Sequence, residues 1–292
     1  MTCATKPRLK IRARFACKTR ATAYPEIVLA KQTLLAGDGF SVVDVRCGCG
    51  RGGWSPAEES RGHSIVFVRS GCFRRMSDGV ESLLDPTTVY FEAPGLEQRV
   101  AHPHAGGDRC TSVELDLDLM LRLLADDPAL PLEPVSTTPE EDLEHRRLLA
   151  STDPLEAEER VLTLAAAVLA RVARERLAAG RPATSLERRR IADAAREALA
   201  VDSTLTLQQL ARSVAVSPHH LSRVFRAATG ETLSRYRNRL RARLALERIA
   251  DGEPSLARLA AELGFADHAH LTRVIRDEAG APPSRLRHLL RH

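Results

Sequence analysis

A chain of 292 residues, 43% of them hydrophobic, exceeds what one compact core commonly serves, so two domains are expected. No apolar run approaches the ~20 residues of a membrane-spanning helix, since even 161–170 ends at Arg171, and a soluble, cytoplasmic protein with no membrane partner follows as the expectation. The formal net charge of +5 is unevenly spread: residues 1–20 hold seven basic residues and no acid, residues 181–292 hold 20 Arg, no Lys and 12 acids for +8, and −10 is left between them. The basic ends suit a polyanion, which the acidic middle would repel.

In chain order, residues 1–25 read as a disordered basic arm or an overlong start, although their Arg-rich, acid-free composition superficially resembles a transit peptide. Residues 26–180 read as β first and helix later. Short runs at 41–47, 64–69, 87–91 and 110–117 are separated by the turn signals Gly50-Arg51-Gly52-Gly53, Asp78-Gly79, Pro94-Gly95 and Ala105-Gly106-Gly107-Asp108. Many short strands at close spacing predict a small barrel or jelly roll. Helices are predicted over 119–126, 139–150 and about 154–179. The last carries Leu155, Val161, Leu162, Leu164, Ala165, Val168, Leu169 and Val172, an apolar face wide enough to suggest a homodimer contact. Residues 180–185 read as a linker to a domain spanning 181–292.

The acidic domain's unusual residues are Cys47, Cys49, Cys72 and Cys110, with His63, His102 and His104 nearby in sequence. Thiolates and imidazoles ligate zinc or softer metals, and a Cys-x-Cys pair can offer two sulfurs to one ion, so these four cysteines are candidate metal ligands or thiol-redox groups. Their spacing matches no zinc module. Cysteine is also a common core residue, and the competing readings are an organic effector held in the barrel or no small ligand at all. Trp54 is read as packing rather than as the cap of a pocket.

Beyond the linker the chain repeats itself. His220-Leu221-Ser222-Arg223-Val224-Phe225-Arg226 returns fifty residues later as His270-Leu271-Thr272-Arg273-Val274-Ile275-Arg276, and each copy follows a Leu-x-x-Leu-Ala helix, at 207–211 and 256–260. The first helices align at an offset of forty-nine and the second at fifty, so one inserted residue falls in the turn, where insertion is tolerated. Ser217-Pro218 and Asp267 are N-terminal caps, while Gly230 and Gly280 fit left-handed C-terminal positions. Leu221, Val224 and Phe225 must face a core, leaving His219, Ser222, Arg223 and Arg226 outward; in the second copy His268, Thr272, Arg273 and Arg276 are outward. Arginine bonds guanine bidentately, and hydroxyls or imidazoles meet bases or phosphates, so double-stranded DNA is the predicted partner. His220 and His270 are expected to pack or bond locally. A helix over 234–249, roughly 24 Å long at ~1.5 Å per residue, separates the units, and its arginines are expected near phosphate.

These residues resemble the AraC/XylS transcription regulators over about 186–290. The match is carried by Ser217-Pro218-x-His220-Leu221-Ser222-Arg223-x-Phe225, Gly230, Ser234-x-Tyr236, Arg241, Ala245, Gly264-Phe265, His270, Arg273, Gly280 and Pro283. The chain departs from that pattern at Ala269, Leu271 and Ile275. The resemblance implies two DNA-reading helices, starting at Ser217 and Asp267, joined by the helix from Ser234, with RNA polymerase as a partner. It also implies a cupin-like N-terminal sensor for a small-molecule or metal effector. The fold class expected is therefore α+β with two domains. No enzyme is expected: Ser-His-Asp, phosphate-loop and paired-carboxylate signatures are missing, and the Cys-x-x-x-Cys and Cys-x-x-Cys arrangement of the alkyl-transfer repair domains sometimes fused to such modules does not occur.

Overall fold

A computed structural model describes residues 29–48, 52–124, 130–178 and 186–290. The basic arm, Cys49 and the 180–185 linker lie outside the described residues. The N-terminal part contains β1 (Leu29–Gly37), β2 (Phe40–Cys47), β3 (Glu58–Glu59), β4 (His63–Ser70), β5 (Phe73–Ser77), β6 (Val80–Leu84), β7 (Thr88–Glu92), β8 (Glu97–Ala101) and β9 (Asp108–Leu115). These are followed by α1 (Leu117–Leu124), β10 (Val135–Ser136), α2 (Pro139–Ala150) and α3 (Pro154–Ala178). Six strands form one sheet in the order β1-β2-β9-β4-β7-β10, and four form a second in the order β3-β8-β5-β6. Asp78 and Gly79, both at positive φ, make the tight turn between β5 and β6.

Strand β4 shows why the sequence folds into layers. Its residues 63–69 are all buried, because the strand has cover on both faces. Ile65 and Phe67 point to one face, with Val89, Phe91, Val113 and Leu115 from neighbouring strands, and meet the helices there. Val66 and Val68 point to the other, where Phe73 and Leu84 of the second sheet join Tyr90 and Cys110. The space between the sheets is filled by side chains, including Arg75, which is 1% exposed. Its guanidinium lies 4.8 Å from the Tyr90 ring centroid and donates to the Phe91 carbonyl at 3.1 Å.

Helix α3 spends its apolar stripe inside the chain. Val161, Leu164, Ala165, Val168, Leu169 and Val172 are buried against the six-stranded sheet, so the face that suggested a dimer contact is largely used by the protein's own core. Leu155 alone of that stripe is strongly exposed, at 67%.

The C-terminal part is helical: α4 (Leu186–Val201), α5 (Leu207–Ser213), α6 (Pro218–Thr229), α7 (Leu233–Ala250), α8 (Leu256–Glu262), α9 (His268–Ala279) and α10 (Pro283–Leu290). It has two cores. Leu199, Leu210, Leu221 and Phe225 gather with Tyr236 and Leu240 from the first half of α7, while Leu246 and Ile249 from its second half gather with Leu259, Leu271, Ile275 and Leu286. One helix is thus built into both units.

The two parts meet through buried charge. Asp85, fully buried between β6 and β7, accepts from Arg196 of α4 at 2.7 Å and from the Tyr236 hydroxyl at 2.7 Å. Glu247 of α7 pairs with Arg69 of β4 at 2.8 Å, Arg146 of α2 at 3.0 Å and Arg109 of β9 at 3.3 Å, and Arg243 pairs with Asp142 of α2 at 2.7 Å. Burial raises the Asp85 and Asp142 carboxyls, yet Arg196 beside the first and Arg146 with Arg243 beside the second overcome this and hold both below the ordinary carboxylate range. Charges taken this far from water are tolerated because each has several partners.

Candidate nucleic-acid interface

Each repeated unit is assembled by local signals. In the first, Thr206 and Gln209 form a capping box for α5, and the turn passes through Ala215 at φ 55°. Ser217 then accepts the His220 N–H, Pro218 occupies the first turn of α6, and Gly230 at φ 80° closes the helix by donating to the Arg226 carbonyl. In the second, Gly264 at φ 73° makes the turn, Ala266 is the extra residue, the Asp267 carboxylate accepts the His270 N–H at 2.6 Å, and Gly280 at φ 68° ends α9. That N–H, aided by the Ala269 amide and the Arg273 charge, holds Asp267 below the ordinary carboxylate range.

The buried stripes are those the periodicity predicts: Leu221, Val224 and Phe225 in α6, and Leu271, Val274 and Ile275 in α9. Opposite them, His219, Arg223 and Arg226 are exposed with Ser222 half-buried, and His268, Arg273 and Arg276 are exposed with Thr272 half-buried. None of these four arginines makes a salt bridge or side-chain hydrogen bond among the described residues. Ser217 and Asp267 are exposed too, but their acceptor oxygens are occupied as caps. His270 bonds locally, its Nδ1 accepting the Ala266 N–H at 3.4 Å while its ring meets Phe265 edge-on at 5.4 Å.

Five of the six arginines of α7 are engaged within the molecule rather than held open for phosphate, while Arg235 is exposed with no side-chain hydrogen bond or salt bridge among the described residues. Arg237 donates to the Leu205 carbonyl, Arg239 pairs with Glu231, Arg243 is buried on Asp142, and Arg248 pairs with Glu253 and Glu262. Arg241 carries information that the residue pattern did not reveal. Its guanidinium donates to the Ser203 carbonyl, through Nε at 2.9 Å, and to the Gly264 carbonyl at 2.6 Å, tying the turn of the second unit to the segment that precedes the first. A Cβ on Gly264 would stand 2.7 Å from that guanidinium, so glycine serves the close approach as well as the positive φ. Arg241 is a positioning residue for the pair of units.

Of the four cysteines expected as metal ligands, Cys49 lies outside the described residues, and the one metal-compatible group among the described residues contains Cys47 but neither Cys72 nor Cys110. Cys72 and Cys110 are buried thiols, pushed up in pKa first by burial, and Cys47 is disulfide-bonded. Cys47 instead lies with His102 and Asp108, whose candidate ligand atoms are all within 4.8 Å of one another. Among the other histidines, His63 is buried at the start of β4, and the exposed His104 meets Glu197 at 3.0 Å. Trp54 forms a single β-bridge with Ala101.

A family model described as a helix-turn-helix domain matches residues 210–288. The bifunctional transcriptional activator/DNA repair enzyme Ada of Escherichia coli is 36% identical over 87 residues, which is 30% of this chain and 24% of that protein. The regulatory protein ada of Salmonella typhimurium is 42% identical over 66 residues, 23% of this chain and 18% of its own length. This chain therefore spans less than a quarter of the length of either relative, and the alignments cover only the helix-turn-helix region. Among solved structures, fatty-acid-bound ToxT from Vibrio cholerae superposes with a TM-score of 0.39 at 10% identity, over 87% of this chain and 96% of that one. Among the described residues no helix is long and apolar enough to cross a membrane.

Proposed function

From the premise that the last third of the chain is a helix-turn-helix domain of the AraC type, we propose that the protein is a sequence-specific, double-stranded-DNA-binding transcription regulator. In this reading 181–292 bind DNA and 26–180 receive the signal, a small molecule or a metal, with RNA polymerase as the protein partner. The observation that carries it is the duplication of an exposed arginine pair with no salt bridge among the described residues: Arg223 and Arg226 on α6 recur as Arg273 and Arg276 on α9, each pair behind an N-cap at the matching position and opposite a matching buried stripe. A surface that leaves two guanidinium groups without a salt bridge in each of two copies, among the described residues of a domain where most other arginines have a partner, is suited to an external anion lattice. Helix α7, about 27 Å long at ~1.5 Å per residue, carries both units on one rod, so a single chain presents two reading helices to one duplex.

The name of one relative joins activation to DNA repair, but we read this chain as a regulator without that chemistry. The thiolate is the attacking form in thiol transfer, and Cys72 and Cys110 are buried where the neutral thiol is favoured. The test is to select bound fragments from a genomic library and measure affinity at fixed salt. Arg223→Ala and Arg273→Ala should each cost about 1–3 kcal/mol of specific binding. Equal affinity and unchanged footprints in both variants would remove α6 and α9 from the DNA interface.

A further inference from the structure

The register of the two sheets brings together three groups that sequence spacing keeps apart. Cys47 ends β2 and Asp108 opens β9, and the two are direct partners in that antiparallel pair. His102 follows the last residue of β8, so the second sheet supplies the third group. Asp108 Oδ1 lies 2.5 Å from His102 Nε2, with side chains 8% and 7% exposed, and Cys47 Sγ completes a cluster within 4.8 Å. The Cys110 thiol donates to the other Asp108 oxygen at 3.3 Å, and Phe73 stacks on the His102 ring at 5.7 Å.

A thiolate, an imidazole and a carboxylate are the donor set of a borderline-soft divalent ion. Around zinc, bonds of about 2.0–2.3 Å put tetrahedral ligand atoms roughly 3.3–3.7 Å apart, which the present cluster reaches if His102 and Asp108 part by about 0.8 Å. The ion would then replace the proton their short hydrogen bond shares. Cys47 is disulfide-bonded and offers no thiolate in that state.

We propose that reduction of the Cys47 disulfide opens a zinc-class metal site formed by Cys47, His102 and Asp108, with the Cys110 thiol beside its fourth position. The reductant is a dithiol: two electrons and two protons pass to the disulfide, giving two thiols, while the dithiol closes to its own disulfide. On binding, the ion displaces both the Cys47 proton and the proton held between His102 and Asp108 to solvent. The site is distinct from the DNA interface, and metal uptake is measured with no DNA present.

The probe is Co²⁺, added to the full-length protein after dithiol reduction and anaerobic desalting, with Zn²⁺ as competitor. One equivalent should bind with a thiolate-to-cobalt charge-transfer band, be displaced by Zn²⁺, and be absent from the oxidised protein. His102→Gln and Asp108→Asn should each weaken uptake by at least about tenfold while circular dichroism stays that of the wild type. Cys47→Ser should abolish the charge-transfer band unless Cys110 has taken its place, which the double variant with Cys110→Ser tests; a band that persists in the double variant overturns the site. So does a folded, reduced wild type that takes up no Co²⁺, and so does uptake indifferent to His102→Gln and Asp108→Asn, which would place the ion on cysteines elsewhere.

Discussion

The arginines of α6 and α9 and most of those of α7 are the same residue in the same kind of element, yet they have opposite fates. Arg223, Arg226, Arg273 and Arg276 are exposed and unpaired among the described residues, whereas Arg241 and Arg243 are 4% and 2% exposed and fully engaged. The difference is one of surroundings. Helices α6 and α9 each pack one stripe against a core and leave the other face open, while α7 is enclosed by two cores and by the N-terminal part, so its arginines, the exposed Arg235 apart, find carbonyls and carboxylates of the chain itself. Positive charge in the helical part therefore divides into charge left open, which the proposed function assigns to DNA, and charge that builds.

The sharpest way to break that division is to remove a building arginine. Arg243→Ala strips Asp142 of one of its two guanidinium partners and Thr137 of a donor at 2.7 Å, and breaking a buried pair from one side costs about 3–5 kcal/mol. The expected outcome is a lower midpoint in urea unfolding; stability equal to wild type would mean that the contact between the two parts contributes nothing. The same contact sets a pH dependence. Asp85 and Asp142 have folded pKa values lowered from the ordinary ~3.9, so their contribution is full above that value and is lost as pH falls through the lower folded values. Acid unfolding of the wild type should begin below about pH 4, and Arg243→Ala, which removes part of what holds Asp142 down, should shift it upward.

Arg241→Ala comes next. It would leave the Ser203 and Gly264 carbonyls without their guanidinium donor, at a cost of about 1–3 kcal/mol for orphaned buried acceptors. Because Arg241 ties the two units, the variant should also lose affinity for a site contacted by both reading helices more than for a half-site. Equal losses on the two DNAs would reduce Arg241 to a purely local clamp.

How far these roles could be read from the sequence depended on whether their signals were local. Caps, glycines and the i, i+3, i+4 stripes sit within one helix, and the observed bounds of α6 and α9 follow them. Strands β2, β4, β7 and β9 were legible as short runs set between turn signals. Strand β1 was not, since most of its residues are exposed and no buried face marks it, and β5 hides a buried arginine inside Phe-Arg-Arg-Met-Ser. The engagement of Arg243 was not legible because its partners lie far along the chain, Thr137 being 106 residues away, just as Asp85 meets Tyr236 151 residues away. The cysteines were grouped by residue type, whereas the strand register groups Cys47 with Asp108 and, through the second sheet, His102. No spacing rule within one segment carries that information.

The smallest effect on stability belongs to the reading arginines, and it completes the comparison. Arg223→Ala and Arg273→Ala remove exposed side chains with no salt bridge to break, so unfolding free energy should change by no more than about 0.5 kcal/mol. Exposed guanidinium groups repel one another and the domain's remaining positive charge, so Arg223→Ala should be slightly stabilising at low salt, whereas Arg273→Ala also loses the attraction of that charge to the Asp267 cap and should lie closer to zero, both effects vanishing as salt screens them. Thermal melts of the two variants across a salt series, set beside Arg243→Ala, measure this directly. If the exposed substitutions destabilise as much as the buried one, their side chains have structural partners and the charge of α6 and α9 is not held open for DNA.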